Sequence, residues 1–486
     1  MNPIVAIIEG MTKFLWGDLL RIPLPGGSSI GLSLMVLLLI PAGIFYTIRT
    51  RILPLRLFPE MISVLLEKQE GRDAADPASG RLSGMQALIV STATRVGMGN
   101  LVGVVAAISA GGAGAVFWMW VIATIGGASA FIESTLAQIY KKRGPHHSYG
   151  GPAYYIQTAL KQNWLAYLFA VMLILTYMGG FNLLASFNVA DTFTQYSWAN
   201  EWTPWVVGGV LAVLMAGSIL GGTRRLTDVT GFLVPIMAII YLGVGAVVIV
   251  FNYHNIPAMF SAIFSGAFDF KAIFGGFAGS AMMLGIKRGL YSNEAGVGSA
   301  PNAAASASVS HPAKQGLVQM LSVFIDTMII CTFTAFVVLS SGVGDDGGVT
   351  GAPLVKDAMA TVLGQPIAQV FISLALFLFA FTTLVGNFYY AEVNFRFLLR
   401  NITMEQWMLT AFRLVAAALV FCGALLKFEV AWSLGDILMG LMALINLPVI
   451  VILGRVAVRC ANDYTAQRKA GLDPKFIASS IGLDPS

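Results

Sequence analysis

Charge is what this 486-residue sequence has least of: Asp, Glu, Lys and Arg together make up 11% of it. Soluble domains carry about 25% charged residues, the surface that keeps them dissolved, so a soluble multidomain enzyme is excluded. Cysteine is nearly as scarce. Cys331, Cys422 and Cys460 show no CxxC spacing, which removes a disulfide framework and a thiolate metal site. The four histidines, His146, His147, His254 and His311, are scattered over loops, which argues against a metal centre. A Walker A motif and a large polar domain are also missing, so ATP-driven pumping has no support. The amphipathic start IVAIIEGMTKFLWGDLL leads into PLPGG without an A-x-A cleavage pattern, and is expected to lie at the interface.

What is abundant is apolar residues, 57% of the chain, together with 52 glycines. A helix needs about 20 apolar residues to cross a hydrocarbon core of about 30 Å. The expected fold is therefore an all-α polytopic membrane protein. Eleven transmembrane spans are expected at 30–49, 84–108, 113–139, 164–186, 204–221, 229–251, 269–288, 316–340, 366–390, 407–426 and 433–454. These runs are far too long for barrel strands and lack period-2 alternation. Segments 1–29, 30–83 and 457–486 are expected to be an extracytoplasmic or interfacial start, a first span with its cytoplasmic loop, and a cytoplasmic tail. Residues 84–251 and 252–456 then hold five spans each.

Basic residues test the count, because they concentrate in cytoplasmic loops. With the N-terminus outside and the C-terminus inside, 22 of the 29 fall in loops expected to be cytoplasmic. These include Arg49 to Arg81, Lys141 to Arg143, Arg224, Arg225, Lys287, Arg288, Lys314, Arg396 and Arg455 to Lys475. The net charge of +5 thus reads as a topology signal and gives no reason to expect nucleic acid as a partner. A bacterial inner membrane is the expected location.

Two spans are poor continuous helices. The second carries Arg95-Val96-Gly97-Met98-Gly99-Asn100 at its centre, and the seventh carries Gly275, Gly276, Gly279 and Gly285. Unwound backbone at membrane depth is tolerated only where it lines a protein cavity. Paired interruptions at matching positions of two halves point to the substrate site of a secondary transporter. Free N–H groups around Gly97, Met98 and Gly99 suit an anionic carboxylate, and unwound carbonyls suit a small cation. An α-amino acid needs both. Tyr177, Phe181 and Asn182 on the fourth span are candidate pocket walls. Deep charges need an account too. Arg95 and Asp326 lie mid-span and are expected to pair, while Glu133, Glu392, Arg413 and Asp436 lie nearer span ends and are expected to snorkel or bond locally. Asn293 and Glu294 are expected to close the seventh span as a gate or cap. Thr382 and Thr383 offer hard oxygens in the ninth.

The stretches Gly111-Gly112-Ala113-Gly114-Ala115-Val116-Phe117-Trp118-Met119-Trp120-Val121 and Leu290-Tyr291-Ser292-Asn293-Glu294-Ala295-Gly296-Val297-Gly298-Ser299-Ala300-Pro301 resemble the hallmarks of the alanine/glycine:cation symporter family. Arg95 to Asn100 and Phe324-Ile325-Asp326-Thr327 fit it as well, and the resemblance runs from about residue 30 to the last span. It implies the amino acid–polyamine–organocation type of fold, with two inverted five-helix repeats and one extra N-terminal helix. It also implies a symporter of a small neutral amino acid, alanine or glycine, with sodium as coupling ion and no organic cofactor, and a monomer able to transport. Val96 to Asn100 further resembles the V-G-x-G-N stretch of neurotransmitter:sodium symporters. That likeness implies a sodium site built from the carbonyls of Ala93, Val96 and Phe379 and the hydroxyls of Thr382 and Thr383. Met98 stands where many members have Thr or Ser. A proton-coupled carrier, with Asp326 as the proton site, is the alternative; a channel or a membrane enzyme finds no filter and no acid–base constellation.

Overall fold

In a computed structural model, residues 3–23, 29–67, 83–143, 148–269, 280–343, 351–402 and 405–483 are described. They form a bundle of long apolar helices with two small hairpins, Leu20–Pro23 with Ser29–Leu32 and Lys142–Arg143 with Ser148–Tyr149. Among the described residues, seven helices are long and apolar enough to cross a membrane: Gly114–Ile139, Asn163–Thr194, Asp228–Phe251, Pro312–Ser341, Gln365–Leu398, Gln406–Gly423 and Phe428–Lys469. Gly84–Arg95 and Gly99–Gly111 make one more as a pair bent by 53°, and Leu34–Arg49 and Thr203–Ile219 are shorter apolar helices.

Local chemistry explains where the helices begin. Ser83 accepts from the Gln86 N–H while Gln86 returns a bond to the Ser83 N–H, a capping box that starts the second span. Ser33 and Ser280 cap their helices through their hydroxyls. The N-terminal helix Pro3–Trp16 buries Leu15 and Trp16, and the Trp16 indole donates to the Asp436 carbonyl at 3.1 Å. Its C-terminal end is thus packed into the protein, while Ile7 and Phe14 stay exposed.

The seventh span departs from expectation. Gly275, Gly276 and Gly279 lie outside the described residues. The helix that follows, Ala281–Asn293, ends in an irregular segment at 294–300, and a short helix resumes at Pro301–Ser306. Among the described residues, the interruption of this segment lies in the hallmark stretch itself. Asn293 is the last residue of that helix and Glu294 caps its C-terminus, its N–H donating to the Leu290 carbonyl at 2.9 Å. The charges of Lys287, Arg288 and Glu294 drop this stretch out of any apolar window, which is why the expected span stops short.

Lys287 and Arg288 move with it. Ala281 and Leu284 pack against Gly111, so this half-helix lies at the end of the bundle that holds the Gly111–Gly114 turn. The two cations do not belong to a loop at the other end. Arg288 meets Asp436 through two bonds of 3.0 Å, Lys287 reaches the same carboxylate at 2.7 Å, and Trp432 covers the guanidinium at 4.3 Å. Asp436, 2% exposed, thus needs no snorkelling. Removing one partner of a buried ion pair costs about 3–5 kcal/mol, because the other charge stays behind. Asp436→Ala strands two cations, and a thermal melt of the purified variant is expected to show a loss in that range; an unchanged melt would count against these ion pairs. Glu392 does bond locally, to Arg396 at 2.7 Å and Arg413 at 3.4 Å.

Candidate functional site

The second span stops being helical at Val96, resumes at Gly99, and takes a π-helical turn over Gly99–Gly103. Asn100 organises the interruption. Its Oδ1 accepts from the Gly97 N–H at 2.8 Å, and its Nδ2 donates to Asp326 Oδ1 at 2.7 Å. Asp326 Oδ2 accepts from Ser292 at 2.6 Å and from Thr327 at 2.9 Å. One buried carboxylate on the eighth span therefore ties the break of the second span to the helix end that precedes the break of the seventh. Asp326 sits in another π-helical turn, Phe324–Cys331, and Tyr177 and Phe181 in a third, Leu175–Phe181. Such turns are rare and concentrate at functional sites.

This arrangement corrects the expected ion pair. Arg95 does not bridge to Asp326. Its Nη1 donates to the Gln319 carbonyl at 3.2 Å and to Gln319 Oε1 at 3.4 Å, while Nε and Nη2 have no partner. Asp326 is instead satisfied by neutral donors.

The seventh-span break is held from the other side. Glu133 lies within the helix Gly114–Ile139, fully buried, and of the two expectations for it, snorkelling or bonding nearby groups, it follows the second. Its Oε1 accepts from the Gly296 N–H at 3.2 Å and its Oε2 from Asn446 at 2.9 Å. Asn446 also donates to the Gly296 carbonyl at 2.9 Å and accepts from the Tyr155 hydroxyl at 2.5 Å. Gly296 and Gly298 have φ of +83° and +96°, and a Cβ at Gly298 would meet Phe169, Asn446 and Pro152 within 2.9 Å. Only glycine fits both constraints. Glu294 holds φ +54° without that freedom, and its Oε2 accepts from Ser299 at 2.7 Å. A buried non-glycine residue in this region stores strain, as is common at functional sites.

The two breaks face each other. A Cβ at Gly99 would lie 2.9 Å from the Tyr291 ring. That ring packs on Phe181 at 4.9 Å and on Trp432 at 5.6 Å, and Phe181 on Tyr177 at 5.0 Å. Tyr291 has no room to retreat. Gly99→Ala is expected to cut transport at least about tenfold, equivalent to about 1.4 kcal/mol. Uptake at the wild-type rate would contradict this contact. Tyr177 and Asn182 are fully buried; Asn182 accepts from Asn387 at 2.9 Å, and the Tyr177 hydroxyl lies beside Glu294 and Ser299. Met98 is 2% exposed, packed in the core.

Of the expected cation ligands, Thr383 and Ala93 are in contact across two helices. Thr383 Oγ1 donates to the Ala93 carbonyl at 3.2 Å, joining the ninth span to the second just before its break. Val96 ends that helix with ψ 86°, so its backbone has already left helical geometry. Thr382 Oγ1 instead turns back on its own helix, to the carbonyls of Phe379 at 3.0 Å and Leu378 at 3.1 Å, with Met237 Sδ at 3.7 Å. Uncharged oxygens at a helix break suit a monovalent hard cation. Among the described residues no His, Cys, Asp and Glu group forms a transition-metal site.

The sodium:alanine symporter family model matches residues 27–478. The chain belongs to the sodium:alanine symporter family. Its relatives include the amino-acid carrier protein AlsT of Bacillus subtilis, 45% identical, with 91% of this chain and 92% of the relative covered. The sodium/glutamine symporter GlnT of the same organism, given as probable, is 40% identical over 91% and 90%. The sodium/alanine symporter AgcS of Methanococcus maripaludis is 33% identical over 96% and 98%. Family membership makes the chain a membrane transporter, in agreement with its hydropathy. Glu133, Asn446, Ser292, Ser299, Gln319 and Tyr291 are site residues that reading the sequence missed. For four of the six a signal existed: Tyr291, Ser292 and Ser299 lie in the hallmark stretch, and Glu133 is an acidic residue within an apolar run.

Proposed function

We propose that this symporter imports a small neutral amino acid, alanine or glycine, together with sodium. The observation that carries the reading is the meeting of two interrupted helices, at 96–98 and 294–300, beside the Thr383–Ala93 contact. The substrate carboxylate is assigned to the N–H groups of Met98 and Gly99, since Asn100 takes the Gly97 N–H, and to the unpartnered Nε and Nη2 of Arg95. Its ammonium is assigned to acceptors of the second break. A small side chain is favoured because the Tyr291 ring already excludes a methyl group at Gly99. The ion is assigned to Ala93, Val96, Phe379, Thr382 and Thr383. Relatives named for sodium with alanine and for sodium with glutamine support the ion and leave substrate size to the pocket.

The same reading has eleven crossings. The described helices supply ten, and Ala281–Asn293 with Pro301–Ser306 supplies the seventh in order. The second to sixth and seventh to eleventh form two inverted repeats, with the N-terminus outside and the C-terminus inside a bacterial inner membrane. Uptake of a labelled amino-acid panel into proteoliposomes tests this. Sodium-gradient-driven accumulation of alanine or glycine is expected, and equal uptake in potassium would overturn it.

A further inference from the structure

Away from the two breaks, a cleft of about 680 Å³ opens between the small hairpin at Lys142 and Tyr149 and the ends of Gln365–Leu398 and Gln406–Gly423. Lys142, Arg396 and Arg400 line it, with Glu405 the one carboxylate among its lining residues. A second cleft of about 420 Å³ shares Lys142, Arg400 and Asn401 with the first and reaches Asn163 and Tyr167. The charges here are unevenly matched. Arg396 donates through Nε and Nη2 to Glu392, which Arg413 also engages, and Glu405 accepts the Trp407 indole N–H at 2.6 Å. Arg400 and Lys142 meet no carboxylate among the described residues. Arg400 is nonetheless held in place. Its Nη1 donates to the Phe397 carbonyl at 2.8 Å, and its guanidinium carbon lies 4.1 Å from the centre of the Phe397 ring and 4.8 Å from that of Tyr167. A guanidinium fixed by aromatic faces keeps its other N–H groups for an acceptor and loses little freedom in binding one.

Such a set suits a phosphate group. The planar guanidinium fork matches two phosphate oxygens, and the Lys142 ammonium adds charge beside it. Asn401 and Gln406 contribute neutral donors to the same cleft. Position decides which kind of phosphate. Trp164 and Trp407, 66% and 65% exposed, stand in the first turns of Asn163–Thr194 and Gln406–Gly423, next to the lining residues Asn163 and Gln406. Exposed tryptophans at the starts of apolar helices mark the membrane–water interface, so the cleft lies at headgroup depth. Beyond Trp164, Leu168, Val171 and Leu175 are exposed on the same helix. Their spacing of three or four residues makes an apolar stripe that leads away from the cleft into the hydrocarbon. A phosphate ion from water would use the cations and leave the stripe idle. A phospholipid uses both, and basic pockets between transmembrane helices take anionic headgroups.

We infer that this cleft binds an anionic phospholipid, its phosphodiester held by Arg400 and Lys142 and an acyl chain lying along the stripe that begins at Trp164. The site is separate from the proposed ion and substrate, so its test needs no transport. Delipidated wild-type protein in detergent is titrated with dioleoyl phosphatidylglycerol or dioleoyl phosphatidylcholine, and bound lipid is read by native mass spectrometry. Phosphatidylglycerol is expected to bind at least about tenfold more tightly, because the choline of the other lipid cancels its charge and faces the same cations. Arg400→Gln is expected to weaken phosphatidylglycerol binding at least about fivefold. Lys469→Gln, which removes an exposed cation outside the cleft, is expected to leave it unchanged. Inorganic phosphate in millimolar excess is expected not to displace the lipid. Equal affinity for the two lipids overturns the site, and so does an equal loss in Arg400→Gln and Lys469→Gln. Displacement by inorganic phosphate overturns the lipid in favour of a soluble anion. If Arg400→Gln is not monodisperse, Lys142→Gln decides: its side chain is exposed, and the same loss is expected from it.

Discussion

Asp326→Ala is expected to abolish transport and to lower stability by about 2–4 kcal/mol, because each buried donor left without an acceptor costs about 1–3 kcal/mol. The size follows from what the carboxylate holds. Asn100, Ser292 and Thr327 all donate to it, from the second, seventh and eighth spans. Ser292 and Thr327 can turn to other acceptors, but the Asn100 amide cannot turn without giving up the Gly97 N–H. The loss therefore reaches the break of the second span, where the substrate carboxylate is assigned. Asp326→Asn keeps the shape but sets one amide N–H against another in one of its two orientations. It should lose less stability than the alanine variant while still impairing uptake. Thermal melts and alanine uptake on both variants check the order; an Asp326→Ala protein with wild-type stability would refute the staple.

Thr383→Ala is expected to raise the sodium concentration for half-maximal uptake by about tenfold or more, roughly 1.4 kcal/mol per decade. Thr382→Ala should do less. The two hydroxyls are adjacent in sequence but differ in position. Thr383 reaches across to the Ala93 carbonyl, so it already joins the two helices that would share the ion. Thr382 bonds carbonyls of its own helix, and removing it leaves Ala93 and Thr383 in place. Sodium titrations of both variants at saturating alanine measure the difference. Equal, wild-type sodium dependence in both would remove the ion from this place.

Much of the architecture can be read from hydropathy and charge alone, because a bilayer permits few solutions for a backbone. The broken second span is legible because Gly97 and Gly99 flank a polar Asn100 inside an apolar run. The helix Ala281–Asn293 escapes hydropathy for a physical reason. It buries Lys287 and Arg288, whose cost is offset by Asp436, 148 residues from Arg288. No local window contains that partner. Arg95 and Asp326 are deep, as their positions indicate, yet depth does not specify partners. Asn100 and Gln319 intervene, and only packing shows it. The π-helical turns at Leu175–Phe181 and Phe324–Cys331 have no composition that marks them.

Equilibrium binding of labelled alanine to the purified wild-type protein and to Gly99→Ala, in sodium and in potassium, tests the central claim most directly. The two opposed breaks are expected to bind alanine in the wild type with higher affinity in sodium than in potassium, and to lose that binding in Gly99→Ala. Equal wild-type affinity in the two salts, or intact sodium-dependent binding in Gly99→Ala, would contradict the account.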